Sequence, residues 1–497
     1  IEPDKVIYLH NFSAYQAVFD GKEAIDFSYC DFGNHYKNFE QAVFLNCKVN
    51  FHHCNFRKGG INFSYSLFDN GELDFSYNRI ESGELNFKNA VFGNGNKNFQ
   101  NLSFSHGKML LQNVTFNSGD VSFVDSRLKS LNISFKVSGF GDGKVDFHYA
   151  IFERCSLSFE RTEFGNGKVD FRTTEFLESK INFNRSLFGN GDKSFEAAQV
   201  NSGKITFKKT DWGDGNINFE LAEFDDTTLV MDNSIFGKGE LSFNHSKITI
   251  ISLKSCHLDY YVDLRVNECE FMDLSDTIVR DILDLKPHKT PVRIKELNFS
   301  NLRLIGRIFI DWKENNVRQL INSQNTTTTQ EKAEQFRILK ENFYATGQYS
   351  DEDKAYVEFK RKERKAKLQS SVKKNKWNSL WAYPTDAFQW LIFDKVGLYG
   401  TDPVRVLSSM VVSYLFFAIM YYILPFISDS RIVSSMGNTE FSELKTAFYH
   451  SAITFLTIGY GDYYPEGIIR WLCGLEGFIG LFLMSYFTVA FVRKILR

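Results

Sequence analysis

Hydrophobic positions in the first three-fifths of the chain follow a fixed beat, and phenylalanine marks it. Stepping by 12 from Phe27 to position 243 meets nineteen positions, seventeen of them Phe; the exceptions are Leu111 and Met231. A second column five residues later, from Phe32 to Ile248, holds fourteen Phe in nineteen, and its exceptions (Ile80, Leu128, Val200, Trp212, Ile248) are all apolar. Two residues before the first Phe an aliphatic side chain recurs, as at Val49, Ile61, Leu73 and Val169. Two before the second, the residue is small, as at Cys30, Ala42, Cys54, Ser66 and Ala90. Spacing by two on both sides describes short extended segments whose alternate side chains point inward. The Asn/Asp column just before the first Phe (Asp26, Asn38, Asn50, Asn62) is then expected to form an outward polar ladder.

After the second Phe, alternate repeats carry a Gly-polar-Gly turn: FGNG at Phe92, Phe164 and Phe188, FGDG at Phe140, WGDG at Trp212. The full repeat is therefore 24 residues in two similar halves, and a fixed period of this kind predicts a solenoid. The small-x-Phe unit resembles pentapeptide-repeat proteins, which implies a four-sided right-handed β-helix with inward Leu or Phe on each face. Here the spacing alternates 5 and 7 instead of staying at 5, read as longer turns on two corners. About nine coils at roughly 4.8 Å each would span on the order of 45 Å. The pattern weakens after Ile248 and returns through Leu297, Phe299, Leu302 and Leu304, extending the solenoid to about Asp311.

Toward the other end the pattern changes to membrane-length apolar runs. Residues 406–427 carry no charge and are long enough to cross a hydrocarbon core. A second run, 468–493, has only Arg470 and Glu476 charged before its terminal Arg493. Between them 441–455 reads as a short re-entrant helix, followed by Thr454 to Asp462, TFLTIGYGD. That run resembles the potassium-channel signature T-x-x-T-x-G-Y-G-D at every defined position. The resemblance implies a two-transmembrane-helix prokaryotic potassium channel, with filter 457–462. Its permeant K+ would be held by backbone carbonyls of Thr457, Ile458, Gly459 and Tyr460 and by the Thr457 hydroxyl. Gly459 and Gly461 supply the unusual dihedrals that turn successive carbonyls one way, and Tyr460 is expected to brace the strand. Thr454, Gly461, Asp462 and Glu476 are expected to support the filter, and Tyr464 to ring the outer mouth. One pore loop per chain implies a homotetramer.

Basic residues place the chain in the membrane. Lys395 and Arg405 precede the first span, Arg493, Lys494 and Arg497 follow the second, and few bases lie between. The positive-inside rule then puts both termini in the cytoplasm of a cell inner membrane.

Residues 312–376 read as a linker with a basic helical hairpin. Asn315 to Thr329 is polar and expected to be flexible. A helix at Thr329–Thr346 would put Ala333, Phe336, Leu339 and Phe343 on one face, and Ser350 with Asp353 suggests a capping box for the next. This hairpin looks like the segment that follows the repeats in membrane-attached pentapeptide proteins. Nine bases and one acid between Lys360 and Lys376 point to anionic headgroups as a partner. The stretch 377–403, with Trp377, Trp381 and Trp390, reads as an interfacial helix broken in two by Pro384.

Composition narrows the remaining choices. Residues 1–311 hold 42 acids and 35 bases, too mild an excess for a rod that mimics nucleic acid, so no nucleic-acid partner is expected. Seven scattered cysteines lack C-x-x-C or zinc spacing and are expected to be reduced, with Cys30 and Cys54 packing inward. No nucleotide loop or catalytic constellation stands out, and no enzyme activity is expected. The expected fold class is multidomain: β-solenoid 1–311, hairpin 312–376, interfacial segment 377–403 and an all-α pore domain 404–497.

Glu476, an acid inside a span, is a functional candidate by its cost and could accept hydrogen bonds from Tyr449, His450 or Ser451. Gly477 and Gly480, with Phe487 and Phe491, are candidates for the moving gate. With no domain after the inner helix, an unidentified cytoplasmic regulator is expected to act from the solenoid through the hairpin and outer helix. The alternative reading is a membrane-anchored scaffold whose pore segment is only an anchor; the intact filter motif favours conduction.

Overall fold

The computed structural model describes residues 11–21, 23–374, 379–435, 437 and 441–496. Trp377 and Lys376, named above, lie outside them. The chain divides into two compact units, Ile1–Thr327 and Thr328–Arg497.

The first unit is a parallel β-solenoid. Its clearest face is a ladder of thirteen short strands from Ile25–Asp26 to Arg307–Phe309, mostly paired 24 residues apart, as in Val145 with Val169 and Asp146 with Asp170. Two more faces join in a twenty-stranded sheet, and the fourth is built of short strands and single bridges such as Thr115 with Gly139. The stack continues past the coils that the Phe columns mark. Beyond Leu241 the offset shortens to Val262 and then lengthens, Cys269 pairing with Ile294, which breaks the period without breaking the ladder.

Both Phe columns point inward, as the alternation requires. Phe39, Phe51, Phe159 and Phe171 are fully buried, as are Phe44, Phe56 and Phe176, with Val49 and Ala42 at the aliphatic and small positions. Successive coils stack their rings nearly parallel: Phe171 and Phe195 are 5.0 Å apart at 1°, Phe159 and Phe183 4.7 Å apart at 9°. Across the lumen Phe159 meets Phe171 edge-on at 84°. Stacked and edge-to-face pairs each add to plain area burial. The Gly-polar-Gly corners are glycine because the coils touch there: a Cβ on Gly167 would lie 2.0 Å from the Gly143 carbonyl oxygen.

Two features were not legible in the pattern. The residue two after each first-column Phe adopts a left-handed conformation, from Tyr29 (φ +60°) through Val137 (+59°) to His245 (+58°), closing a tight corner without glycine. The aliphatic inward position also admits lysine. Lys37, Lys97 and Lys193 are buried there, and the ammonium groups of Lys97 and Lys193 donate to corner carbonyls, Gly93 at 2.7 Å and Gly189 at 2.6 Å. Burial lowers both to about 8.

The polar ladder exists, Asn50 Nδ2 donating to Asp26 Oδ1 at 2.9 Å, but it is not uniformly at the surface. Asp170, outward in phase just before Phe171, is fully buried beneath Arg172, Lys168 and Lys144. Asn315–Thr329 is not a plain flexible link either: it contains helix α1, Val317–Asn322, with Val317, Leu320 and Ile321 buried on the solenoid end. The last solenoid strand is Arg307–Phe309, and α1 belongs to the same compact unit, which runs to Thr327.

In the second unit α2 (Thr329–Ala345) and α3 (Tyr349–Lys374) pack as the hairpin, with Ala333, Phe336, Leu339 and Phe343 buried. The capping box sits at the start of α2, between Thr328 and Glu331, while Ser350 lies inside α3. Helix α4 (Ser379–Gln389) carries Pro384 without breaking and runs on through π-helical turns at Trp390–Val396, so the expected division into two pieces does not occur. Pro384 leaves the Leu380 carbonyl without its helical donor, and beside it Thr385 Oγ1 donates to Trp381 O at 2.7 Å. Three further helices follow, α5 (Pro403–Ile423), α6 (Glu443–Phe455) and α7 (Ile469–Ile495), and pack together. The spans Pro403–Phe426 and Ile469–Ile495 have mean hydropathies of 1.9 and 1.8 with only 22% of each window buried in the chain, unlike core helices of a water-soluble domain.

Candidate functional site

Helix α6 delivers the signature segment. Its last turn closes with Leu456 N donating to Ala452 O, after which Thr457 N donates to Thr454 O at 3.0 Å and Ile458 N to Ile453 O at 2.8 Å. The chain then leaves the helix with alternate residues left-handed: Thr457 at φ +58°, Gly459 at +62° and Gly461 at +77°. The glycines accept this freely, whereas Thr457 is β-branched and holds a strained conformation worth about 1–3 kcal/mol. Sequence reasoning anticipated the two glycines and missed Thr457. The carbonyl end of α6 stands directly before this segment, and a helix C-terminus favours a cation.

Beyond Gly461 the loop is anchored from two sides. The Tyr449 hydroxyl donates to Asp462 Oδ2 at 2.7 Å, and Ser435 donates to Asp462 O through its amide (2.9 Å) and hydroxyl (3.1 Å). The strand Tyr463–Pro465 pairs antiparallel with Ile432–Ser434, placing Tyr464, 42% exposed, opposite Val433. Tyr460 is 71% exposed, so the brace expected of it does not come from its own chain.

Glu476 lies fully buried on α7 and binds behind the loop. Its Oε1 accepts from Ser451 Oγ at 2.5 Å, as the sequence suggested, and Oε2 accepts from the Tyr421 hydroxyl at 2.7 Å. The two other donors considered go elsewhere: Tyr449 to Asp462, and His450 Nε2 to within 3.2 Å of Cys473 Sγ. Tyr421 was missed, though a tyrosine one helical turn after Phe417 in an uncharged span needs a partner for its hydroxyl. One carboxylate thus joins α5, α6 and α7. Around it Phe417, Tyr421, Ala447 and Ile469 form the apolar core of this region.

The proposed moving parts divide. A Cβ on Gly480 would lie 2.1 Å from Phe455 O, so this glycine permits close approach of α7 to the end of α6, near half-buried Thr454. Gly477 has only Thr454 O near, at 3.9 Å. Phe487 and Phe491 stack 5.6 Å apart, one turn from each other near the end of α7.

That end does not stand alone. Arg493 donates to Asp353 Oδ1 at 3.0 Å and to Glu352 Oε1 at 3.4 Å and lies 4.5 Å from the Tyr356 ring centroid, while Lys494 Nζ reaches Asp353 Oδ2 at 2.5 Å. The route from hairpin to inner helix is therefore direct, and not only through the outer helix. The basic run also differs from a simple headgroup-facing strip: Arg361 grips Asp394 (2.7 Å) and Arg364 grips Asp386 (2.8 Å), clamping α3 to α4 and its continuation. Lys367, 72% exposed at its side chain, is among those left outward.

Two membrane-length helices thus flank a short helix and a loop of alternating left-handed residues. Residues 409–497 match the family model described as "Ion channel". A search among curated proteins found no match. The chain is a membrane protein that joins an N-terminal β-solenoid to a C-terminal ion-channel domain.

Proposed function

We propose that this protein is a potassium-selective channel that conducts passively as a homotetramer through Thr457–Gly461. The observation that carries the reading is the alternation of left-handed residues at 457, 459 and 461 within TIGYGD, which suits consecutive carbonyls turned toward one axis. Leu456, Ile458 and Tyr460 are all at least 47% exposed in the single chain, in keeping with coverage by neighbouring copies. The ligands for K+ are the carbonyls of Thr457, Ile458, Gly459 and Tyr460 with the Thr457 hydroxyl. Asp462, Tyr449, Ser451, Tyr421 and Glu476 hold the loop's shape. Both termini lie in the cytoplasm, where the solenoid and hairpin bias the gate at Phe487 and Phe491.

Flux of rubidium into liposomes containing the purified full chain tests this. Uptake is expected to exceed sodium uptake strongly, and Gly461→Ala, which puts a Cβ on a residue at φ +77°, is expected to abolish it or remove its selectivity. Equal sodium and potassium permeability in the parent protein overturns the proposal.

A further inference from the structure

Between α4 with its π-helical continuation and the two spans α5 and α7 lies a cavity of about 1040 Å³. Its walls are apolar, formed by Phe388, Leu391, Val412, Phe416, Phe478 and Phe482, with three serines of α5 along one side. No carboxylate lines it. Two cations do, Lys395 and Arg405. Arg405 Nε donates to Lys395 O at 2.9 Å, and Lys395 Nζ lies 5.1 Å from the Trp390 ring centroid. Among the described residues neither side chain has an ion-pair partner, in contrast to Arg361 and Arg364 of α3, which face Asp394 and Asp386.

The dimensions identify the occupant. Arg405 belongs to the first turn of α5 and Phe416 lies eleven residues further along the same helix. At 1.5 Å per residue the apolar wall runs about 16 Å from the cations, close to half of a hydrocarbon core about 30 Å thick. A groove one leaflet deep, cationic at its interfacial end and apolar beyond, complements a phospholipid with a net negative headgroup. A guanidinium matches phosphate oxygens in pairs, and a lysine reaches the interface from an apolar stem. A helix from a second copy of the chain would fill the apolar wall and leave both cations unmatched.

We propose that this groove binds one anionic phospholipid, its phosphate between Lys395 and Arg405 and an acyl chain along Val412, Phe416 and Phe482. The lipid would touch α4's continuation, the outer span and the inner span at once, and the site is independent of which ion the pore conducts.

Native mass spectrometry of the delipidated full chain tests this with added phosphatidylglycerol or phosphatidylcholine. Phosphatidylglycerol is expected to be retained about tenfold more tightly. The double variant Lys395→Gln/Arg405→Gln is expected to reduce its retention to that of phosphatidylcholine, while Lys204→Gln/Lys209→Gln, with the same charge loss at exposed positions of the solenoid, leaves it unchanged. Val412→Trp, which fills the wall and keeps both cations, is expected to weaken retention of either lipid. Equal retention by the parent and the Lys395/Arg405 variant, or equal loss in the Lys204/Lys209 variant, overturns the site. So does a Ser413→Cys thiol that stays closed to alkylation in delipidated protein, since that outcome gives the groove to a second copy.

Discussion

Val137 is exposed at a solenoid corner with φ +59°, a conformation that a β-branched residue holds at a cost of about 1–2 kcal/mol. Glycine adopts it freely, at some expense of entropy in the unfolded chain. Val137→Gly is therefore expected to stabilise the solenoid by up to about 1 kcal/mol, read as a higher urea midpoint of the β-sheet circular dichroism signal. Asp170 makes the opposite case. Burial opposes its ionisation, but the Arg172 fork and amide together with Lys168 outweigh that and hold its carboxyl at about 2. A depressed folded-state pKa gives stability that is present above the unfolded value near 4 and disappears as pH falls toward 2. Asp170→Ala is expected to cost about 2–3 kcal/mol at pH 7 and much less near pH 2, where the parent carboxylate is itself protonated. An unchanged midpoint at pH 7 would return Asp170 to the bare outer face. At this scale the sequence pattern gave inward and outward phase correctly, because a period of two is rigid. It could not show which outward residues their neighbours cover, nor that Lys97 and Lys193 turn inward, since a long stem satisfies an apolar position while its tip finds carbonyls.

Among elements, helices were legible wherever an apolar face repeats. The segment 441–455 became α6, the two spans became α5 and α7, and the α2 face held residue for residue. Helix ends and joints were less so, because they depend on contacts distant in sequence. Asp353 fitted a capping pattern, yet its carboxylate meets Arg493 and Lys494, 140 and 141 residues away. The carboxylate is 9% exposed, so the pairing is costly to undo at one partner only. Asp353→Asn is expected to loosen the end of α7 and shift open probability in single-channel recordings, and Lys494→Gln to shift it in the same direction. Recordings identical to the parent for both would remove the latch from gating. Glu476 shows the same limit from the other side. Its cost in a span was plain from sequence, whereas the Tyr421 partner needed α5 and α7 side by side.

For the whole molecule, the proposed function rests on nine residues more than on the other several hundred, because a single loop is local in sequence. The solenoid was equally legible as architecture and silent as to purpose. The compact unit that contains it also takes in α1, packed beside the strand Ile294–Asn298, and runs to Thr327. A truncation that tests the solenoid's role must therefore begin at Thr328, where Thr328 caps α2. The chain lacking 1–327 is expected to keep its ion selectivity and change its open probability, measured by flux and single-channel recording. Gating identical to the full chain under every condition tried would make the solenoid a docking arm alone.

The offset of 24 residues between stacked partners also makes the first unit a graduated ruler. Each coil advances by one strand spacing, about 4.8 Å, and returns the chain to the same face, as from Val145 to Val169. Gain or loss of one full repeat would change length in a single step while every surface beyond it kept its bearing. Gain or loss of 12 residues would preserve both Phe columns and yet turn everything beyond it half a revolution. The length of such an arm is thus adjustable only in quanta, and the direction its far end faces depends on counting coils in whole numbers.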